Sequence, residues 1–410
     1  MTFSGRIPSH LGNLSNLQFL DLSYSTGATH LTNLSWITHL HFLRYLYLSA
    51  VNFSTVVDWP QAVNMIPSLR VLELSEWSLT SANQSLPHLN LTKHETLDLS
   101  FNYFNHPIAS CWFWNITHLK QLFLESAGLY CPLPRALDGM TYLQVLHISE
   151  DVDGNPNKLC ITMTSMRNLC NLETIYIRNL LCGDIAEFLD SLPQCSFSKL
   201  VEVDLEENYI SGALPINWTW PVTSLESLDL FGNNIGGMLP NWMGQLTSLG
   251  YLDMAQNNIG GIIPASMSKL SSLGYLDLSQ NNITGPLPSF VGNFTYLDYL
   301  DLSYNHLIGH VPHEIGMLSN LEYLNLENND LDGNITEDHF SSLKSLQWIF
   351  LSSNSLKIEI SSEWKPPFRL QGAYFTSCHM GPLFPSWLKW MVSINQLDIS
   401  NEGINDRLPD

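Results

Sequence analysis

Leu225, Leu249, Leu273, Leu297 and Leu321 stand at a constant spacing of 24 residues, and each restarts the same phrase. The copy at Leu273 reads L-G-Y-L-D-L-S-Q-N-N-I-T-G-P-L-P, and the copy at Leu297 reads L-D-Y-L-D-L-S-Y-N-H-L-I-G-H-V-P. Extending this frame places strand starts at Leu17, Leu43, Leu69, His94, Leu119, Leu143, Leu172, Leu200, Leu225, Leu249, Leu273, Leu297, Leu321, Leu346, Leu370 and Ile394, sixteen in all. In Leu276-Asp277-Leu278 apolar and polar residues alternate with period two, which predicts buried leucines and an Asp277 in solvent. No copy can bury its leucines alone. About six aliphatic side chains at about 1.5–3 kcal/mol each barely offset an ordering entropy of about 1–2 kcal/mol per residue. Stacking on both neighbours supplies the remainder, so the expected fold is an α/β repeat solenoid, one domain over residues 1–410.

Asn102, Asn208, Asn233, Asn257, Asn281, Asn305, Asn329 and Asn354 share one register, three residues after the last apolar strand position. A buried amide needs partners, and backbone groups of the turn and of the adjoining copy are the ones available. These residues are therefore expected to form a structural ladder, with Cys378 in the same register as a small buried thiol. A period in this range with L-x-x-L-x-L-x-x-N-x-L is the leucine-rich repeat, in which one strand per copy lines the concave face of a curved superhelix. G-x-[I/L/V]-P follows the ladder position at Gly5-Arg6-Ile7-Pro8, Gly237-Met238-Leu239-Pro240, Gly261-Ile262-Ile263-Pro264, Gly285-Pro286-Leu287-Pro288 and Gly309-His310-Val311-Pro312. Glycine permits the turn out of the strand, and proline forbids a long helix on the outer side.

This L-x-G-x-I-P extension resembles the plant-specific class of leucine-rich repeats found in extracellular receptor ectodomains. Two stretches narrow the resemblance: Trp364-Lys365-Pro366-Pro367-Phe368-Arg369-Leu370, and Ser377-Cys378-His379-Met380-Gly381-Pro382-Leu383-Phe384-Pro385-Ser386-Trp387-Leu388. With Asn168-Leu169-Cys170-Asn171-Leu172 and Leu192-Pro193-Gln194-Cys195, they are similar to the receptor-like proteins grouped with ethylene-inducing-xylanase receptors. Membership of that group implies a large ectodomain followed by one transmembrane helix and a short tail without a kinase. It also implies defence signalling.

A formal charge of −21 excludes the basic footprint of a nucleic-acid binder and favours basic protein or peptide partners. No run of 18 apolar residues and no signal peptide is present. Met1 and Asp410 both fall inside a copy, and no polar caps are visible, so a fragment is expected whose membrane link lies in a segment outside it. N-x-[S/T] occurs at Asn13, Asn33, Asn52, Asn83, Asn90, Asn115, Asn217, Asn282, Asn293 and Asn334, which points to a secreted route and the extracellular side of the plasma membrane. Of seven cysteines, Cys170 and Cys195 occupy related outer positions in adjacent copies and form the preferred disulfide; Cys111 with Cys131 is the second choice. No C-x-x-C exists to suggest a zinc or redox site.

No catalytic motif is present, and no cofactor is implied. His306, His310 and His313 with Glu314 have suggestive spacing, but Gly309 and Pro312 place them in a strand-to-turn segment. Glu206 and Glu207 read as a solvated strand end. The run 150–157, rich in turn formers, reads as a loop at the rim. What the architecture offers is binding. Outward positions form an acidic column, Asp229, Asp253, Asp277 and Asp301, beside an aromatic one, Tyr251, Tyr275, Tyr299, Tyr323 and Trp348. Departures from this wording mark two candidate contact patches: Phe123, His147, Tyr176 and Arg178, and Trp348, Phe350 and Tyr374. The expected protein is a ligand-recognition ectodomain for a peptide, microbial protein or glycan, acting with a co-receptor kinase. A secreted inhibitor of fungal polygalacturonases and the ectodomain of a developmental receptor kinase are the alternatives.

Overall fold

Each of the sixteen leading positions is followed, two residues later, by a short parallel strand. The offset arises because the leading residue itself closes a turn: Leu273 N donates to Leu270 O (3.2 Å) and Leu297 N to Phe294 O (2.9 Å). The computed structural model describes residues 7–406 apart from 24–32, 52–55, 77–78, 85, 87, 131, 151–160, 163–164, 197, 219–223 and 402. It divides into two compact units, Met1–Ile210 and Ser211–Asp410.

In the first unit the strands Phe19–Asp21, Tyr45–Tyr47, Val71–Glu73, Thr96–Asp98, Gln121–Glu125, Val145–Ser149, Thr174–Arg178 and Glu202–Asp204 pair in chain order, all parallel. In the second, Ser227–Asp229, Tyr251–Asp253, Tyr275–Asp277, Tyr299–Asp301, Tyr323–Asn325, Trp348–Phe350, Gly372–Tyr374 and Gln396–Asp398 do the same. The inward residue of the strand core is leucine in most copies and Ile175, Val203, Ile349 or Ala373 in others. It is buried except in the last strand, where Leu397 is exposed, and it meets its counterpart in register, as Leu252 does Leu276 and Leu276 does Leu300.

On the outer side, among the described residues, most copies return through a 3-10 helix of three to five residues, and two through short α-helices, Trp59–Asn64 and Ile185–Ser191. The proline of G-x-I-P is the N-cap at Pro240, Pro264, Pro288 and Pro312, in extended backbone each time. Its fixed φ and missing N–H end the strand segment and leave room for one helical turn. The second unit adds a feature not anticipated above, a second parallel sheet of Gly260–Gly261, Asn282–Pro286, His306–His310, Asp330–Ile335 and Ser355–Ile358. Gly316 shows how closely the outer turns pack: a Cβ there would overlap the backbone oxygen of Asp338.

The asparagine register is the joint between copies. Asn281 Nδ2 donates to Leu278 O (3.2 Å) and Ser279 O (3.1 Å) in its own turn and to Met254 O (2.9 Å) one copy back. Its Oδ1 accepts from Ile259 N (2.9 Å), also one copy back. Asn257, Asn305, Asn329 and Asn354 repeat this pattern. In the first unit Asn102 and Asn208 do likewise, Asn208 Oδ1 accepting from both Leu180 N and Leu181 N. Asn233 is less buried and bonds Leu230 O and Phe231 O in its own turn. Cys378 is buried in this register with its Sγ 3.4 Å from Leu351 O.

Candidate functional site

The strands present their second face through the residues flanking the buried leucine. In the second unit these are the tyrosines and aspartates of Y-L-D. Tyr251, Tyr275, Tyr299 and Tyr323 lie in register and stack face to face, with centroid separations of 4.4, 4.3 and 4.4 Å and interplanar angles of 13°, 9° and 5°. The aspartates do not stand in solvent as period-two alternation predicts. Asp253, Asp277 and Asp301 are only 6%, 7% and 6% exposed.

Two causes bury them. The tyrosines lean over them, with Tyr251 OH donating to Asp229 Oδ2 and Tyr275 OH to Asp253 Oδ2, each at 3.4 Å. Each carboxylate also turns inward to cap its own turn: Asp253 Oδ1 accepts from Ala255 N (2.9 Å), Asp277 Oδ1 from Ser279 N (2.8 Å) and Asp301 Oδ1 from Ser303 N (2.9 Å). Asn325 continues the row and donates to Asp301 Oδ2 (2.9 Å). Burial pushes the Asp253 carboxyl up to about 7, with repulsion from Asp277 and Asp229 adding to it. Burial likewise pushes Asp277 up to about 6, with Asp301 adding. Tyr323 rises to about 12, through burial first and the Asp301 charge second.

Trp348, Phe350 and Tyr374 come together at the next two strands. Phe350 stacks on Tyr374 (4.6 Å, 10°) and approaches Tyr323 (5.2 Å). Trp348 and Phe350 are parallel at 6.3 Å, and the Trp348 ring lies over Gly372, whose missing side chain leaves space for it. All three rings are partly exposed.

In the first unit Phe123, His147 and Tyr176 also occupy one in-register row. His147 packs against Phe123 (6.0 Å) and Tyr176 (3.9 Å), and burial lowers its pKa. Arg178 lies over the Tyr176 ring (4.5 Å) and is held by Asp204 (Nε to Oδ1, 3.1 Å) and Glu206 (2.6 Å). Glu206 is therefore half of an ion pair and not a solvated strand end. Glu150 is buried, its Oε1 accepting from Leu129 N (3.0 Å), so it belongs to the packed copy; residues 151–157 of the expected loop lie outside the described residues.

Cys170 and Cys195 form a disulfide, their Cα atoms 5.7 Å apart. The second expected pair does not form: Cys111 is a free, buried thiol, and Cys131 lies outside the described residues. Cys111 directly precedes the buried run Trp112–Trp114, and burial pushes its thiol up. Asn13, Asn33, Asn83, Asn90, Asn115, Asn217, Asn282, Asn293 and Asn334 are exposed; Asn52 lies outside the described residues. Asn282 and Asn334 lie on strands of the second sheet, and none lies on the strands that carry the buried leucines and the Tyr–Asp rows. His310 pairs with Asp332 (2.7 Å) and His313 with Glu314 (3.5 Å), both at the surface. No helix among the described residues is long and apolar enough to cross a membrane.

A family model described as a leucine-rich repeat region matches residues 184–407. The chain is 44% identical to Receptor-like protein EIX1 of Solanum lycopersicum over 99% of its own length, and it spans 39% of that relative. Among solved structures, the ectodomain of the Arabidopsis receptor kinase HAESA in complex with an extended IDA peptide hormone superposes with a TM-score of 0.79. It is 27% identical, covering 99% of this chain and 67% of that one. HAESA with IDA and the co-receptor SERK1 gives 0.72 at 27% identity, covering 98% of this chain and 69% of that one. The chain belongs to the leucine-rich-repeat family and, within it, to the plant receptor-like proteins of the EIX group.

Proposed function

We propose that this chain is the recognition part of a plant cell-surface receptor-like protein in defence signalling, binding a peptide or protein ligand on its exposed strand faces and acting with a co-receptor kinase. The reading places it on the extracellular side of the plasma membrane, in a binding and not a catalytic role, with its copies acting as a single solenoid. One observation carries the proposal: Trp348, Phe350 and Tyr374 form a partly exposed aromatic cluster on a strand face, supported from below by buried Ile349 and Ala373. Exposed aromatics on a rigid sheet are the anchors that polypeptide ligands use. Every described glycosylation sequon lies off these faces, so attached glycans would leave them open. The bound peptide in the HAESA structure supports the same use of the fold.

The test is a triple W348A/F350A/Y374A substitution in the secreted ectodomain, with ligand captured from elicitor preparations and binding followed by interferometry. The expected outcome is loss of binding with an unchanged melting temperature. Full binding by the triple variant overturns the assignment of this patch.

A further inference from the structure

Among the described residues, some strand-face carboxylates of the first unit have cationic partners, whereas Glu73 and Asp98 there, like the row from Asp253 to Asp301 in the second unit, have none. In the first unit Glu95 is bridged by Arg70 (3.3 Å) and Lys120 (3.1 Å), and Asp204 and Glu206 share Arg178. In the second, the strands and strand entries from Tyr251 to Asn328 carry Asp253, Asp277, Asp298, Asp301, Glu322 and Glu327 and no Lys or Arg. The single Lys of that stretch, Lys269, ends the outer segment Ala265–Lys269. Among the described residues none of these six carboxylates has an ion-pair partner.

Asp277 defines the problem. It is more than nine-tenths buried, one oxygen caps Ser279 N, and the charged and titratable groups around it are Asp253, Asp301, Tyr275, Tyr299 and, further off, Tyr323. A buried charge among like charges is costly unless a cation arrives. The stacked tyrosines turn their faces to one another, so what they offer a partner is ring edges and phenolic oxygens beside the carboxylates.

We infer that the Tyr–Asp rows of the second unit receive a basic, extended segment of a partner polypeptide, with its cationic side chains set over Asp253 and Asp301 on either side of Asp277. The spacing suits such a segment. Neighbouring strands lie about 4.8 Å apart, so every second aspartate recurs at about 10 Å. In the extended polyproline II conformation every third side chain returns to the same face after about 9 Å, so basic residues at every third position meet Asp253 and Asp301, with Asp277 between them. This inference rests on the proposed ligand-binding role and adds the chemistry of the ligand. It also carries a proton linkage. A cation over the row favours the ionised aspartates, so binding displaces protons and strengthens as pH rises from about 5 to about 8.

The experiment uses the whole ectodomain and two synthetic probes of about twelve residues, a Gly/Ser peptide with Arg at every third position and its counterpart with citrulline for Arg. Titration calorimetry at about pH 5 and about pH 8, in buffers of different ionisation enthalpy, gives affinity and proton release together. The variant is D253N/D277N/D301N. It keeps the capping oxygen, and Asn325 already occupies the same position, with its Oδ1 accepting from Glu327 N (3.1 Å). The Arg probe should bind at least about tenfold more tightly than the citrulline probe, release protons, and lose about tenfold in affinity on the variant. Equal binding of the two probes overturns the cationic assignment while leaving a peptide-binding face. Binding of neither probe, at either pH, overturns this inference; the W348A/F350A/Y374A capture test then decides the broader role on its own.

Discussion

The Trp348 ring lies flat over Gly372, one strand further on in the same sheet, where any Cβ would overlap it. Both residues belong to the aromatic row that begins with Tyr251, and Gly372 lets that row end in a large indole directed across the next strand. Gly372→Ala should therefore displace the indole from its seat. The expected cost is about 1–3 kcal/mol in stability, as for overpacking elsewhere. Ligand binding should fall by more than this strain accounts for, and tryptophan fluorescence should report the moved ring. An unchanged emission spectrum would show that Trp348 is not seated as described.

The Asn281 side chain makes four hydrogen bonds, two of them to backbone groups of the preceding copy. Replacing it by Leu leaves Ile259 N buried without a partner, at about 1–3 kcal/mol, and removes three further bonds worth about 0.5–1.5 kcal/mol each, although Met254 O keeps Asn257 Nδ2 as a donor. Denaturant unfolding of Asn281→Leu should show a loss of about 2–5 kcal/mol, and hydrogen exchange should quicken first at Ile259. Asn281→Cys should cost less, because Cys378 already serves in this register. Equal losses for the two variants would mean that volume, and not polar satisfaction, sets the joint.

His94 stands where other copies have leucine and is completely buried. Burial lowers its pKa from 6.5 to about 4, against the opposing pull of the Leu69 backbone and Glu95. The unfolded chain therefore binds the extra proton between those values. The first unit should have its full stability above about pH 6.5 and lose about 3 kcal/mol as pH falls through 4. His94→Leu should remove that slope, measured as melting temperature against pH.

Asp253 and Asp277 impose the opposite slope on the second unit. Their folded pKa values, about 7 and about 6, lie above the ordinary 3.8, so the native state holds the extra protons. Stability from this source is complete below about pH 4 and declines as pH rises towards 7. Hydrogen exchange resolved by unit should show the second unit loosening over the same range in which the first firms. In D253N/D277N the second unit's slope should flatten; a slope unchanged from the parent would assign it to other groups.

The frame of the fold was readable because its signal is redundant. The recurring frame, with leucine at most of its leading positions, places all sixteen strands, and the Asn register identifies itself because a polar residue recurs where only a bonded one can be buried. The sequence misleads where burial depends on a neighbour's side chain and not on position. Asp277 alternates like a surface residue, yet it is covered by tyrosines and held by its own turn. Arg178 reads as an available contact, but it is committed to Asp204 and Glu206, whose approach no linear spacing shows. Cys111 and Cys131 differ from Cys170 and Cys195 in the same way. Cys111 is enclosed beside Trp112, a burial that no spacing of cysteines shows.

The joint made by Asn281 with the copy before it is chemically the same as the joint made by Asn305, 24 residues later. A duplication or deletion of one such interval would rejoin identical surfaces and require no compensating change. Inheritance can thus lengthen or shorten this part of the molecule in whole steps, keeping stability while altering how many side chains a ligand meets.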